Sequence, residues 1–236
     1  MKDYAQTGWY TAAYKIIDVF SRILYLPIIA LFPAFAKFHK ISAERTKILY
    51  ERSFYYMIVL AIPVVTGLFI LSKKIILLVY GSQFSNSAIA LQILGFSLFF
   101  TALNFLMGYL LNSIDKQKLF TITTGISTGV NIILNLILIP SYGYKGAGFA
   151  TVISEMVNFS MLYYFTSKSK FSINILGLLI KPLIADMIMV LALYYLIGLN
   201  AIFLAIIGAL IYVAVMFLIK GLGKEEIKLA KSLISK

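Results

Sequence analysis

The chain has 236 residues, of which 61% are hydrophobic and only 13% are charged, and its mean hydropathy is +0.93. A soluble domain is about 45–50% apolar, so this composition excludes an ordinary water-soluble fold. The sequence contains no cysteine, which excludes disulfides, thiolate catalysis and cysteine-based metal sites. The net charge of +12 is better explained by basic loops at a membrane surface than by binding to nucleic acid.

Apolar stretches follow one another along almost the whole chain. About 20 apolar residues in a helix cross the hydrocarbon core of a bilayer, and seven stretches reach that length. They cover residues 16–36, 53–72, 88–112, 118–139, 144–166, 175–197 and 199–219. We therefore predict an all-α polytopic membrane helix bundle with about seven transmembrane helices.

The basic residues are divided unequally between alternate loops. Fourteen of the 21 Lys and Arg residues lie in loops or the tail on one predicted side and four on the other, while Lys15, Arg22 and Lys181 lie within or beside spans. The positive-inside rule then predicts that residues 37–52 and the C-terminus are cytoplasmic and that the N-terminus is outside. No cleavable signal peptide is visible, and an odd number of spans with this orientation is expected if an upstream part has been removed.

The first stretch carries the most unusual polar residues. Thr11, Lys15, Asp18 and Arg22 are spaced 4, 3 and 4 residues apart, which places them on one narrow helix face. Charged side chains within a membrane span are costly and need a partner, a wet cavity or a function. Two cations and one anion leave this face positive, and a guanidinium fork suits phosphate oxygens. We predict that Lys15, Asp18 and Arg22 line a substrate cavity; the alternative is an ion-pair ladder near the outer interface.

The later stretches hold further polar positions at helical spacing. They are Thr124, Thr128, Asn131 and Asn135 in the fourth stretch and Thr151, Glu155 and Asn158 in the fifth. Interhelical hydrogen bonding is the favoured interpretation of both sets. Glu155 is a candidate for proton or ion coupling, or it pairs with a neighbouring helix. Asp186 in the sixth stretch is a second candidate for coupling, with a packing role as the alternative.

Several local patterns predict packing and helix ends. Pro27 and Pro33 predict a bent first span, and the GxxxG spacing of Gly125 and Gly129 predicts close helix approach. The apolar piece 75–79 is too short to span, so we expect it at the outer interface. The basic tail from Lys224 is expected to form an interfacial helix or a solvated end.

The signatures of soluble enzymes are missing from the sequence. No metal-ligand spacing, nucleophile elbow, P-loop or dinucleotide fingerprint occurs, and the single histidine, His39, lies in a basic loop. We expect a protein that is not an enzyme, with no cofactor, no metal and no nucleic-acid partner.

A series of landmarks nevertheless has a familiar order. It comprises Gly8-Trp-Tyr-Thr-Ala-Ala-Tyr-Lys15, Pro33, Ile62-Pro63, Val79-Tyr-Gly-Ser-Gln-Phe84, Leu138-Ile-Pro-Ser-Tyr-Gly143 and Gly146-Ala-Gly-Phe-Ala-Thr-Val-Ile-Ser154. In this order the chain resembles the C-terminal half of polysaccharide biosynthesis proteins of the O-antigen flippase type. These belong to the multidrug/oligosaccharidyl-lipid/polysaccharide exporter superfamily.

The resemblance implies two helical lobes around a cavity and transport by alternating access. Its members move a polyprenyl-linked oligosaccharide from the cytoplasmic to the outer leaflet. This chain would supply spans eight to fourteen, with lobe helices at 1–166, two additional spans at 167–220 and a basic cytoplasmic tail at 221–236. The eighth span faces the cavity in such transporters, which favours Lys15 and Arg22 as ligands of a pyrophosphate linker.

The implied function is a partial lipid-linked glycan flippase of the cell envelope, located in the plasma membrane. Its partners would be membrane lipid, the lipid-linked glycan and a separately encoded N-terminal half. The alternatives are a cation-coupled multidrug exporter, for which Glu155 and Asp186 are the acidic candidates, and a non-functional gene fragment. A membrane glycosyltransferase is disfavoured because the predicted external loops contain Asp3 as their sole acidic residue.

Overall fold

A computed structural model, which describes residues 4–222, contains six long helices and one short 3₁₀ turn. The helices are α1 (Tyr4–Ile41), α2 (Ala43–Tyr80), α3 (Ser87–Ser113), α4 (Gln117–Lys168), α5 (Ile175–Tyr195) and α6 (Ala201–Leu218), and the turn is Ser82–Phe84. All six helices are long and apolar enough to cross a membrane. The prediction of an all-α polytopic membrane bundle is confirmed. The tail from Lys224 lies outside the described residues.

Helix α4 contains both the fourth and the fifth predicted spans. Its backbone is non-helical at Gly143, where φ is 57° and ψ is −136°, a combination that a residue with a Cβ rarely adopts. Contacts then join residues on either side of this point: Ser127 Oγ donates to Ser154 O at 2.7 Å. A Cβ placed at Gly146 would lie 2.5 Å from the carbonyl oxygen of Leu138. The helix is therefore an antiparallel hairpin of two arms, 117–142 and 144–168.

The first two helices extend well beyond the predicted spans. Each has 38 residues, or about 57 Å at 1.5 Å per residue, which exceeds the hydrocarbon core of about 30 Å. The piece 75–79 continues α2 beyond Lys73 and Lys74, and Ile76 in it is fully buried. The helix ends at Gly81, where φ is 81°. The position of this piece at the outer interface stays a prediction.

The chain forms two compact units, residues 1–173 and 174–236. In the first unit α3 is the central helix and packs against α1, α2 and α4. Its fully buried residues include Leu91, Leu94, Leu98, Leu103 and Leu106. Between helices that span a bilayer, such close packing stabilises the unit through van der Waals contacts, because lipid is as apolar as Leu.

The second unit, as far as it is described, is the helix pair α5 and α6. Leu193 of α5 lies close to Gly208 of α6, and a Cβ at that glycine would be 3.2 Å from a Leu193 methyl. Leu204 and Met216 are fully buried in the same pair. Lys181 Nζ donates to the carbonyl oxygen of Lys220 at 2.9 Å, so it satisfies a carbonyl at the C-terminal end of α6.

The connections rich in basic residues lie together at one end of the first unit. Lys116, between α3 and α4, donates from Nζ to Ser169 Oγ at 2.7 Å, just beyond the end of α4. The ring of Tyr50, near the start of α2, meets that of Phe171 edge-on with centroids 6.4 Å apart. The α1–α2, α3–α4 and α4–α5 connections therefore share one side.

The opposite end of this unit is held by contacts around the turn of the hairpin. Tyr144 N–H donates to Gln6 Oε1 at 3.4 Å, and its hydroxyl donates to Asn86 O at 3.3 Å. Trp9 packs edge-on against the Tyr144 ring with centroids 5.8 Å apart. The start of α1, the start of α3 and the hairpin turn are thus fixed to one another.

Candidate functional site

A cavity of about 440 Å³ opens between α1 and the two arms of α4. Helix α1 contributes Tyr10 and Tyr14. The first arm contributes Thr124, Ser127, Thr128 and Asn131, and the second contributes Thr151, Ser154, Glu155 and Asn158. Every lining residue is polar, although each lies in a helix apolar enough to span a membrane. Polar groups at such positions are costly in lipid and are retained where they serve packing, a ligand or water.

Helical periodicity brings the polar side chains of the two arms together. Asn131 Nδ2 donates to Ser154 Oγ at 3.0 Å across the hairpin, as expected for interhelical hydrogen bonding. The hydroxyl protons are directed at backbone carbonyls: Thr128 Oγ1 donates to Thr124 O at 2.9 Å and Thr151 Oγ1 to Ala147 O at 3.0 Å. Because these protons are engaged, the hydroxyl oxygens are available mainly as acceptors.

Glu155 lies in the cavity wall and is held from α3. Asn104 Nδ2 donates to Glu155 Oε2 at 2.8 Å and to its backbone carbonyl at 3.0 Å. Asn104 is only 3% exposed, so this amide is a rigid support. No basic side chain pairs with Glu155 among residues 4–222. Glu155 therefore pairs with a neighbouring helix through a neutral amide, and its carboxyl group also reaches the cavity.

The predicted cationic residues of α1 lie beside this cavity and do not line it. Arg22 Nη2 is 3.1 Å from Asp18 Oδ2, and the two side chains are 79% and 50% exposed. Lys15 is exposed as well. The buried face of α1, which includes Ala13 and Leu24, points the other way, toward α3. The contact of these cations with a substrate stays a prediction.

Asp186 belongs to the second unit, where it lies in α5 and is 7% exposed. Within the first unit, the structure brings Glu155 together with the polar positions of both α4 arms. The coupling role of Asp186 stays a prediction.

Sequence reasoning missed two contributors to the cavity. Tyr10 lines the cavity, with its hydroxyl 3.4 Å from Thr151 Oγ1. Tyr14, one turn later, stacks on Tyr10 with ring centroids 5.9 Å apart. The four-residue spacing of the two tyrosines was the available signal. Asn104, an isolated amide in the apolar α3, was the signal for the support of Glu155.

Comparison with known proteins places these features in a family. A family described as "Lipid II flippase MurJ" matches residues 8–219. A solved structure of lipid II flippase MurJ in an inward closed conformation superposes with a TM-score of 0.77 at 19% identity, covering 92% of this chain and 48% of the other. That structure supports the fold, and this chain spans about half of it.

Two archaeal proteins are similar in sequence. One is the probable low-salt glycan biosynthesis flippase Agl15 of Haloferax volcanii, 27% identical over 155 residues, which are 65% of this chain and 33% of the relative. The other is the uncharacterized membrane protein MJ1068 of Methanocaldococcus jannaschii, 27% identical over 118 residues, or 50% and 23% of the two chains. The matches thus cover a third or less of these relatives. Because the family pattern extends through all seven predicted membrane segments, the chain belongs to the lipid II flippase MurJ family.

Proposed function

We propose that this chain forms the second-lobe part of a flippase that moves a polyprenyl-pyrophosphate-linked glycan across the plasma membrane by alternating access. The observation that carries the proposal is the polar cavity beside an exposed cationic face on α1, both within segments apolar enough to span the bilayer. A lipid-linked glycan has the matching parts, namely an anionic pyrophosphate, a polar saccharide and an apolar chain.

Lys15 and Arg22 are the proposed pyrophosphate ligands. Arg22 offers a planar fork of donors, and Asp18, 3.1 Å away, holds that fork in place while leaving the face with net positive charge. Lys15 adds a second charge about two turns earlier on α1. The role assigned to Asp18 is to position Arg22 and not to contact phosphate.

The proposed orientation places the basic end of the first unit in the cytoplasm. Lys116 and the other cations of the α1–α2, α3–α4 and α4–α5 connections lie at that end, which the positive-inside rule assigns to the cytoplasmic face. The N-terminus of α1 and the turn at Gly143 then lie outside. Substrate would be loaded at the basic end and released at the other.

A translocation assay tests the proposed function. The 236-residue chain, together with a separately expressed first lobe from a MurJ-family relative, is reconstituted in liposomes with a fluorescent polyprenyl-pyrophosphate disaccharide. We expect the label to move between leaflets when both halves are present, measured by its protection from an added quencher. A label that stays in its original leaflet with both halves correctly inserted would contradict the proposal.

The same liposomes distinguish the second candidate function, a cation-coupled multidrug exporter. The observation that favours it is the acidic Glu155 in an acceptor-rich cavity, which also suits a cationic drug. Accumulation of ethidium that depends on a proton or sodium gradient, without movement of the glycan lipid, would establish this alternative.

Glu155 is the proposed coupling group, and Glu155→Gln tests that role. The glutamine keeps an oxygen for Asn104 Nδ2 but cannot titrate, so we expect glycan movement to lose its dependence on a pH gradient. The other titratable residues lining the cavity in residues 4–222 are Tyr10 and Tyr14. The exposed Glu51 supplies the control, since Glu51→Gln makes the same change outside the cavity. An unchanged gradient dependence in Glu155→Gln would exclude coupling through this residue.

A further inference from the structure

Two prolines weaken the second half of α1. Pro27 and Pro33 lie inside the helix, and neither has a backbone N–H group. The carbonyl oxygens of Ile23 and Ile29, four residues earlier in each case, therefore lack their helical hydrogen bonds. The helix nevertheless continues through both positions to Ile41. A helix that lacks two of its backbone bonds within two turns bends more easily there than elsewhere.

The two ends of α1 are held differently. At its start, the Gln6 side chain accepts from Tyr144 N–H, and Trp9 packs on the Tyr144 ring, so this end is fixed to the hairpin turn. At its other end, α1 contains no buried residue after Phe35. The prolines thus separate a fixed part of the helix from a part whose last turns are not packed into the core.

Tyr109 of α3 bridges the weak point. Its hydroxyl forms a hydrogen bond with the hydroxyl of Tyr25, which lies just before Pro27. Its ring meets the rings of Tyr25 and Phe32 edge-on, with centroids 5.7 and 5.3 Å away. Phe105, one turn earlier on α3, makes a further edge contact with Tyr25 at 4.6 Å. One side chain of α3 therefore holds α1 on both sides of Pro27.

These contacts can separate without opening the core. Tyr25, Phe105 and Tyr109 are half-buried, and Phe32 is 37% exposed. Edge contacts between rings are individually weak, and each hydroxyl can bond to water once the pair has parted. The cluster formed by these four residues, called the latch below, is therefore suited to release.

The latch lies on the face of α1 that borders the polar cavity. Tyr25 and Phe32 follow Tyr14 by 11 and 18 residues, which are close to three and five full turns, so the three side chains share one helix face. Tyr14 lines the cavity, and α1 ends at the basic end of the unit. A substrate that moves along this face from the basic end to the cavity must pass the latch.

We propose that residues 26–41 of α1 form a hinged gate at the basic end, and that Tyr109 holds this gate closed against α3. When Tyr25 and Phe32 leave Tyr109, the segment turns about the two prolines and opens the path to the cavity. Tyr109 is a positioning residue, which acts on α1 and not on the substrate. The inference rests on the proposed flippase function and names its moving element.

Spin labels measure the gate without any transport. The chain has no cysteine, so pairs of labelled cysteines can be introduced without removing native ones. Lys37 and Lys118, exposed at the basic end, report on the gate, and Thr7 and Tyr142, exposed at the other end, report on the fixed part of α1. In the 236-residue chain in nanodiscs, we expect Tyr109→Leu to raise the fraction of longer distances in the first pair at least twofold. The distances in the second pair should stay the same.

Another aromatic pair supplies the matched control. Phe96 of α3 meets Phe69 of α2 edge-on with centroids 5.7 Å apart, and both rings are exposed. Phe96→Leu removes a comparable contact outside the latch and should leave the Lys37–Lys118 distances unchanged. Tyr109→Phe keeps the ring without the hydroxyl, so it replaces Tyr109→Leu if that variant does not fold, and a smaller shift in the same direction is expected. Distances that are the same with and without the Tyr109 change would overturn the latch.

Cross-linking connects the gate to transport. In the variant with Phe32→Cys and Tyr109→Cys, a short bis-methanethiosulfonate linker ties the gate to α3. We expect glycan movement in the two-lobe liposomes to fall at least tenfold and to return when the linker is released by reduction. The variant with Trp9→Cys and Tyr144→Cys, joined by the same linker at a ring pair with centroids 5.8 Å apart, should retain transport because these elements stay together.

Two results would separate the gate from the proposed function. Normal transport by the fully cross-linked Phe32 and Tyr109 variant would overturn the gate and leave the flippase proposal standing. A distance change that depends on Tyr109, in a protein whose glycan lipid stays in its original leaflet with both halves inserted, would instead contradict the flippase proposal and leave the hinge in α1 standing.

Discussion

Replacing Lys15 and Arg22 together by glutamine is expected to weaken farnesyl pyrophosphate binding about 100-fold and to abolish glycan movement. Each hydrogen bond to a charged group contributes roughly 1.5 kcal/mol or more, so the loss of two such contacts amounts to about 3 kcal/mol. Both side chains are exposed on α1, so the substitutions should not disturb its packing. Calorimetry in nanodiscs measures the first effect, and the two-lobe liposome assay measures the second.

A control must separate the effect of removing two positive charges from the effect of their position on α1. The double change Lys168→Gln and Lys170→Gln removes the same charge from exposed residues at the end of α4 and should leave binding within about twofold. Asp18→Asn releases Arg22 from its ion pair and is expected to alter binding far less than the loss of the cations. Unimpaired transport by the Lys15 and Arg22 double variant would instead identify the face as a structural ion-pair ladder.

The membrane fold could be predicted because lipid leaves few alternatives. A backbone in the hydrocarbon core must satisfy its own hydrogen bonds, so each long apolar stretch becomes a helix. The parts of the helices that extend beyond the bilayer could not be predicted in this way. Helix α1 starts at Tyr4, twelve residues before the predicted span, because its first turns pack on the hairpin through Gln6 and Trp9. Those contacts are tertiary and have no local signature.

The candidate site was only half predictable for a related reason. Spacing within α4 indicated that Asn131, Thr151 and Glu155 share polar faces, and the structure brings these faces together. Spacing within one helix does not define which neighbour it faces. Tyr10 lines the cavity and Lys15 does not, because of the way α1 is rotated about its own axis. That rotation is set by the burial of α1 against α3.

Glycine spacing illustrates the same limit. The GxxxG pair Gly125 and Gly129 predicts a close helix contact, but a Cβ at either position meets no heavy atom within 4 Å among the described residues. The close approach occurs at Gly146, whose added Cβ would lie 2.5 Å from Leu138 O and 2.7 Å from its carbonyl carbon. The two arms can pack closely because the turn at Gly143 sets their register. The spacing of two glycines along one helix does not reveal that register.

Opposite effects are therefore expected from the same added methyl group at two glycines of α4. Gly146→Ala should lower stability by about 1–3 kcal/mol, because the methyl meets rigid backbone and the arms must separate. Gly129→Ala should raise stability by about 0.5–1 kcal/mol, because alanine is the better helix former and the site is open. At roughly 2–4 °C per kcal/mol for a chain of this size, thermal unfolding in nanodiscs distinguishes the two signs.

Separation of the two arms would also change the geometry of the cavity. The hydrogen bonds from Ser127 and Asn131 to Ser154 span the hairpin, so they lengthen when Gly146 gains a side chain. Glycan movement in the two-lobe liposomes should then fall in Gly146→Ala and remain in Gly129→Ala, whereas farnesyl pyrophosphate binding on α1 should be retained in both. If Gly146→Ala proved as stable as Gly129→Ala and moved the glycan lipid normally, the close packing of the two arms at Leu138, and the cavity geometry that depends on it, would be incorrect.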